Sequence, residues 1–79
     1  MLHVIEAKYI ADYKVWLAFD DNSSGVVDLT NYLKGVVFRP LKDKKLFAKF
    51  WLDPELETIT WPNGADFAPE FLKKNLQKE

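Results

Sequence analysis

The chain has no cysteine, one histidine, three glycines and a single arginine among its 79 residues. Without cysteine there is no disulfide to staple a small domain and no thiolate to bind zinc. A lone histidine, His3, leaves little for metal or acid–base chemistry. No stretch is long or apolar enough to span a bilayer. The N-terminus, Met1-Leu2-His3-Val4-Ile5-Glu6, has neither a basic region nor an apolar signal core, so no export signal is expected. Absence of cysteine fits a reducing cytoplasm. The formal net charge is -1, which gives no overall pull toward nucleic acid or membrane.

What is present is apolar and aromatic. Hydrophobic residues make up 48%, with six Phe, three Tyr and three Trp. That content argues against disorder. Seventy-nine residues make one domain, 1–79, near the lower limit for folding on its own core. A chain this small has more aromatics than a core strictly needs, and exposed apolar patches tend to mark binding surfaces.

The pattern along the chain predicts an α+β fold. Residues 3–10 suit a first strand, and Ala11-Asp12-Tyr13 a tight turn. Lys14 to Phe19 is strongly β-prone, with Val15, Leu17 and Phe19 alternating onto one face. Asp20 to Gly25 is a turn cluster in which Gly25 is free to take positive φ. Gly25 to Leu29 returns as a third strand, completing a three-stranded antiparallel meander. Thr30 to Lys34 reads as one helical turn ended by Gly35. Pro40 disfavours helix at Arg39 and opens a short helix through Phe47, with Leu41, Leu46 and Phe47 inward and the lysines outward. Phe50–Asp53 and Thr58–Trp61 form a β-hairpin. Pro62 stops its second strand, and Asn63-Gly64 turns the chain. Asp66 is placed to cap a C-terminal helix with Pro69 in its first turn. Phe67, Phe71, Leu72 and Leu76 line that helix's apolar side, while Lys73, Lys74 and Lys78 complement its dipole.

The run Trp61-Pro62-Asn63-Gly64-Ala65-Asp66, followed by Ala68-Pro69-Glu70-Phe71-Leu72, resembles the bacterial proteins grouped as domain of unknown function 2442. The strand ending in Phe19-Asp20, Val27-Asp28-Leu29, Leu41 and Phe47 extend the resemblance over nearly the whole chain. The first hairpin departs from it: Asp21-Asn22-Ser23-Ser24-Gly25 replaces a shorter Asp-Gly turn. The resemblance implies a small α+β fold with no established activity. Some members are encoded beside another small protein in toxin–antitoxin-like arrangements, which implies a partner-binding role.

Catalytic and metal readings find little to rest on. His3 lacks a local nucleophile motif and reads as an ordinary terminal histidine. Asp20 starts a stretch with Gly25 at the sixth position of a calcium loop, but the twelfth is Asn31 rather than a bidentate Glu. It reads as a polar hairpin loop, and no cofactor or metal is expected. Asp28, Asp66 and Glu70 are the carboxylates for an enzyme reading, with nothing in the sequence to unite them.

Two features point to binding. Residues 34–49 hold Lys34, Arg39, Lys42, Lys44, Lys45 and Lys49 against Asp43 alone, while 1–33 and 50–79 are each net acidic. Such a segment suits an acidic partner or a phosphate backbone. One arginine among many lysines and no aromatics interleaved on the lysine face weaken direct base readout. Trp16 falls opposite Val15, Leu17 and Phe19, and Trp51 opposite Phe50 and Leu52. Both are therefore expected on the non-core sheet face, which helices are expected to cover; an open face would favour docking or self-association. The expected contact residues are Trp16, Arg39, Lys42, Lys45 and Trp51. The sequence thus predicts a non-enzymatic protein-interaction or regulatory module, with a nucleic-acid-associated domain as the alternative.

Overall fold

The computed structural model describes residues 1–77. Strands β1 (Val4–Ala11), β2 (Lys14–Phe19) and β3 (Ser24–Asp28) form the antiparallel meander in the order β1-β2-β3. A 3-10 turn over Thr30–Tyr32 follows. Then come α1 (Gly35–Phe38), a 3-10 turn over Arg39–Lys42, and α2 (Lys44–Phe47). Strands β4 (Trp51–Asp53) and β5 (Thr58–Thr60) pair as a hairpin, and α3 (Pro69–Lys74) closes the sequence of elements. The fold is α+β, as the sequence predicts.

Alternation decides which face of the meander is buried. Val15, Leu17, Phe19 and Val27 are buried to within 1% exposure. They meet Leu41 and Phe47 from the lysine-rich segment, Ile59 and Trp61 from the hairpin, and Leu72 from α3 in one core cluster. The β3 edge is closed by the C-terminal segment, where Leu76 bridges Val27 and the Gln77 N–H donates to the Val26 carbonyl at 2.7 Å. The β1 edge is irregular. Register shifts between Val4 and Glu6 and between Tyr9 and Ala11 place Ile5 and Ile10 at bulges. Bulges bend a strand and spoil its edge for further pairing. The Val4 N–H reaches the Glu57 carbonyl at 3.0 Å, joining the meander to the hairpin.

Several local expectations are corrected. Gly25 does take a positive φ, 159°, close to extended, but the left-handed residue of the turn is Asn22 at φ 72°. Its N–H donates to the Phe19 carbonyl, and Asp21 accepts from the Ser23 N–H, so Asx geometry makes the turn. Arg39 is helical (φ -56°, ψ -40°) although Pro40 follows. The proline's missing N–H falls where two single turns meet, so no longer ladder is broken. The helix expected from Pro40 through Phe47 is interrupted at Asp43. That residue is extended (ψ 112°), and its carboxylate caps α2 by accepting from the Lys45 N–H at 2.9 Å. Asp66 is no helix cap: it bridges Thr60, which holds it extended, and the N-cap falls at Ala68 before Pro69. Phe67 therefore precedes α3 and Leu76 follows it, though both still face the core cluster. Lys78 lies outside the described residues.

Candidate interaction surface

Among the described residues, no helix covers the second face of the meander, where Trp16, Ala18 and Val26 are half-buried. Each of the helices and turns that buries a residue sends it to the same core cluster: Leu41, Phe47 and Leu72. Trp16, Ala18 and Val26 belong neither to that cluster nor to the residues packed against it. In register, Trp16 stands between Lys8 of β1 and Val26 of β3. The Lys8 ammonium lies 5.4 Å from the Trp16 ring centroid, a cation–π contact across the strands. Lys8 also pairs with Glu6 at 3.3 Å. Lys14 stands opposite Asp28. The outer face is thus a half-buried indole in a charge-balanced surround, with exposed Ile5 and Ile10 on β1.

Trp51 is elsewhere. It lies on β4, in the separate two-stranded sheet, so the two tryptophans do not share one sheet face. It is 44% exposed, while its neighbours Leu52 and Phe50 pack on the core. Its cross-strand partner Thr60 is buried.

The basic segment lies at the surface, with Arg39, Lys42 and Lys45 all exposed. Of its cations, only Lys44 is paired with a described residue, Asp12, at 3.0 Å. That bond and charge raise the Lys44 pKa above its ordinary value. Lys34, Arg39, Lys42, Lys45 and Lys49 take no ion pair with a described residue. The segment has only single helical turns of its own, yet its backbone is fastened at three places. The Asn63 side-chain amide donates to the Val37 carbonyl at 2.8 Å. The Tyr13 hydroxyl donates to the Lys42 carbonyl. The Trp61 indole N–H donates to the Phe47 carbonyl at 2.7 Å.

Two of those donors belong to the distinctive turn after β5. The Gly64 N–H donates to the Trp61 carbonyl and the Trp61 N–H to the Ala65 carbonyl, both at 2.9 Å. The Asn63 side chain accepts from the Ala65 N–H at 3.1 Å. Gly64, at φ 87°, supplies the left-handed residue that the turn needs. Trp61 and Asn63 are therefore consumed by structure, and the structure they hold includes the basic segment.

His3 is better provided for than its sequence context implies. Its Nδ1 lies 2.7 Å from Glu57 Oε2 and 3.0 Å from Asp20 Oδ2. The His3 N–H also donates to Asp20 Oδ1. That backbone donor above all holds Asp20 below the ordinary carboxylate range; desolvation opposes it, and the ring's charge and hydrogen bond add to the lowering. The cluster ties together the chain start, the β2–β3 turn and the β4–β5 loop. Asp21 next to it is held far lower, by Lys73 and then by the Ser23 hydroxyl and N–H. The polar hairpin loop is therefore internally paired. Among the described residues no group of three or more His, Cys, Asp or Glu has the placement to hold a metal ion.

The carboxylates of the enzyme reading are not brought into one hydrogen-bonded set. Asp28 caps the following turn, accepting from the Thr30 hydroxyl at 2.6 Å and the Thr30 N–H at 3.0 Å. Those bonds, the hydroxyl first, hold it below the ordinary range. A proton donor at neutral pH needs the opposite shift. Glu70 lies in the first turn of α3, and Asp66 is exposed beside its bridge to Thr60.

Sequence reasoning missed Lys8 and Val26 as neighbours of Trp16, which only the strand register reveals. It also missed the carboxylates around His3 and the three-point fastening, because every partner there is distant in the chain. Taken together, the fold and its surfaces define a small α+β domain with one sheet face that no helix covers among the described residues and one fastened basic segment. The chain belongs to the family described as "Protein of unknown function (DUF2442)", whose match covers residues 4–77. No curated protein and no solved structure matches it. No helix among the described residues is long and apolar enough to cross a membrane.

Proposed function

We propose that this chain is a non-enzymatic protein-interaction module, the binding half of a two-protein regulatory pair in the bacterial cytoplasm. The observation that carries this reading is the outer face of the meander, which no helix covers among the described residues, with Trp16 at its centre between Lys8 and Val26. A large aromatic held on a rigid sheet is the kind of residue that concentrates binding energy at protein interfaces. Arg39, Lys42 and Lys45 supply an exposed positive field that steers an acidic partner and disfavours basic ones. Trp51 offers a second exposed aromatic on the hairpin.

Affinity capture from the native host, run in parallel with wild type and Trp16→Thr, tests the reading. The wild type is expected to retain one small protein in stoichiometric amount. Trp16→Thr is expected to weaken that complex by about 30-fold, the size of an interface hot spot. Recovery of a lone, stable monomer would count against the proposal.

The cations of 34–49 without described ion-pair partners also favour a second reading, a nucleic-acid-associated domain. Binding to generic DNA or RNA that falls steeply with added salt would support it, and no retardation at low salt would sink it.

A further inference from the structure

We propose that the basic segment receives an acidic stretch of a partner protein that also carries an aliphatic side chain, seated on Val36 and Val37 between Lys34 and Arg39. This names the partner chemistry of the interaction reading and rests on it. Val36 is 94% exposed, on a short helix whose first residue, Gly35, has no neighbouring atoms near its Cβ position. Val37 beside it is 47% exposed. A fully exposed valine contributes nothing to a core, and β-branched residues are not favoured helix formers. The segment is nonetheless held still, because Asn63 binds the Val37 carbonyl and the turn carrying Asn63 is itself closed by backbone bonds. An exposed apolar pair on a fixed backbone loses little conformational freedom on docking.

Charge sets the sign of the occupant. Glu6, Asp12, Asp20, Asp21 and Glu57 all have cationic or histidine partners within the fold. Lys34 and Arg39 have none among the described residues, and neither do Lys42, Lys45 and Lys49. The complement of this patch is therefore anionic, with an apolar group at its centre.

Three anionic classes compete, and the apolar pair separates them. A nucleic-acid backbone has nothing for two aliphatic side chains, and the aromatics nearest in sequence, Tyr32 and Phe38, already have ring partners, Phe38 being stacked on Phe67 at 4.6 Å. The Tyr32 hydroxyl is bonded to Asn75 Oδ1 at 2.9 Å, and its ring is edge-on to Phe71 at 5.0 Å. A bilayer demands a wide apolar face for stable anchoring, and two valines are a narrow one. A protein segment with carboxylates flanking a leucine or valine satisfies both halves of the patch.

The test compares four labelled probes by fluorescence anisotropy. They are a glutamate-rich peptide with a central Leu-Leu, the same peptide with Gly-Gly, a deoxythymidine oligomer, and vesicles containing phosphatidylglycerol. The Leu-Leu peptide is expected to bind about tenfold tighter than the Gly-Gly peptide, the worth of one well-buried aliphatic contact. Val36→Ser is expected to erase that difference without moving Tm. Arg39→Glu is expected to weaken both peptides. Equal binding of the two peptides, no binding of either, or tighter binding of the oligomer or vesicles would each overturn the proposal. If the peptides fail while partner capture still depends on Trp16, the interaction reading stands and this inference falls. If the peptides behave as expected and capture returns a lone monomer, the patch is real and the two-protein reading falls.

Discussion

The indole of Trp61 is fully buried, and its one donor is aimed at the Phe47 carbonyl. Trp61→Phe keeps most of the apolar burial but leaves that carbonyl without its partner. A loss of about 2 kcal/mol in urea unfolding is expected, combining an unmet acceptor with a small void. Asn63 is exposed, so Asn63→Ala exposes its freed partners to water and is expected to cost about 1 kcal/mol. The local mechanics of this turn were legible in the sequence: Pro62 stops a strand, and Asn63-Gly64 turns the chain. What Trp61 and Asn63 hold was not legible, because Phe47 and Val37 are 14 and 26 positions away. Asp66 misled for a related reason. Its residue type suits a cap, but the bridge to Thr60 keeps it out of cap position.

At the scale of elements, the 34–49 segment is three single turns in series, none long enough to be stable alone. The inside and outside of this stretch were readable from Leu41, Leu46 and Phe47. Its interruption was not, because Asp43 reads equally well as a helix-surface residue and as a cap. Asp43→Ala removes the cap of α2 and is expected to cost about 1 kcal/mol. With Asn63→Ala, hydrogen exchange is expected to quicken at the Arg39 amide, which closes α1 on the Gly35 carbonyl, while Val15 and Leu17 in β2 stay protected. Equal acceleration at both places would mean that Asn63 supports the whole fold rather than this segment. The meander was legible down to its inward face, because period-2 alternation survives in β2. The two bulges of β1 were not, since Ile5 and Ile10 fit a regular strand as well as an irregular one.

For the whole molecule, the resolved carboxylate shifts run one way. Asp20, Asp21, Asp28 and Asp53 all lie below the ordinary value of 3.8, each through hydrogen bonds it accepts in the fold. The unfolded chain therefore binds protons at these sites before the folded chain does. Their contribution to stability is present above the unfolded value and is lost as pH falls through the folded values. Tm is expected to hold steady from neutral pH to about 5 and to fall modestly below about 4, since these carboxylates are largely exposed and screened by solvent. A Tm that rises on acidification would contradict the assigned bonds.

The sequence also placed Trp16 correctly, opposite the core face of its strand. It could not say that the hairpin forms its own sheet, which separates Trp51 from Trp16, nor that every helix packs on the same side. Both depend on how elements assemble, not on any local pattern. The openness of that face underlies the proposed function, and urea unfolding of Trp16→Thr tests it most directly. Threonine keeps the β preference of the site and removes the half-buried ring and its contact with Lys8. The structure predicts a loss of about 1 kcal/mol and an intact fold. A loss of about 3 kcal/mol or more, the cost of deleting a buried tryptophan, would mean that the face is covered and the docking surface lies elsewhere.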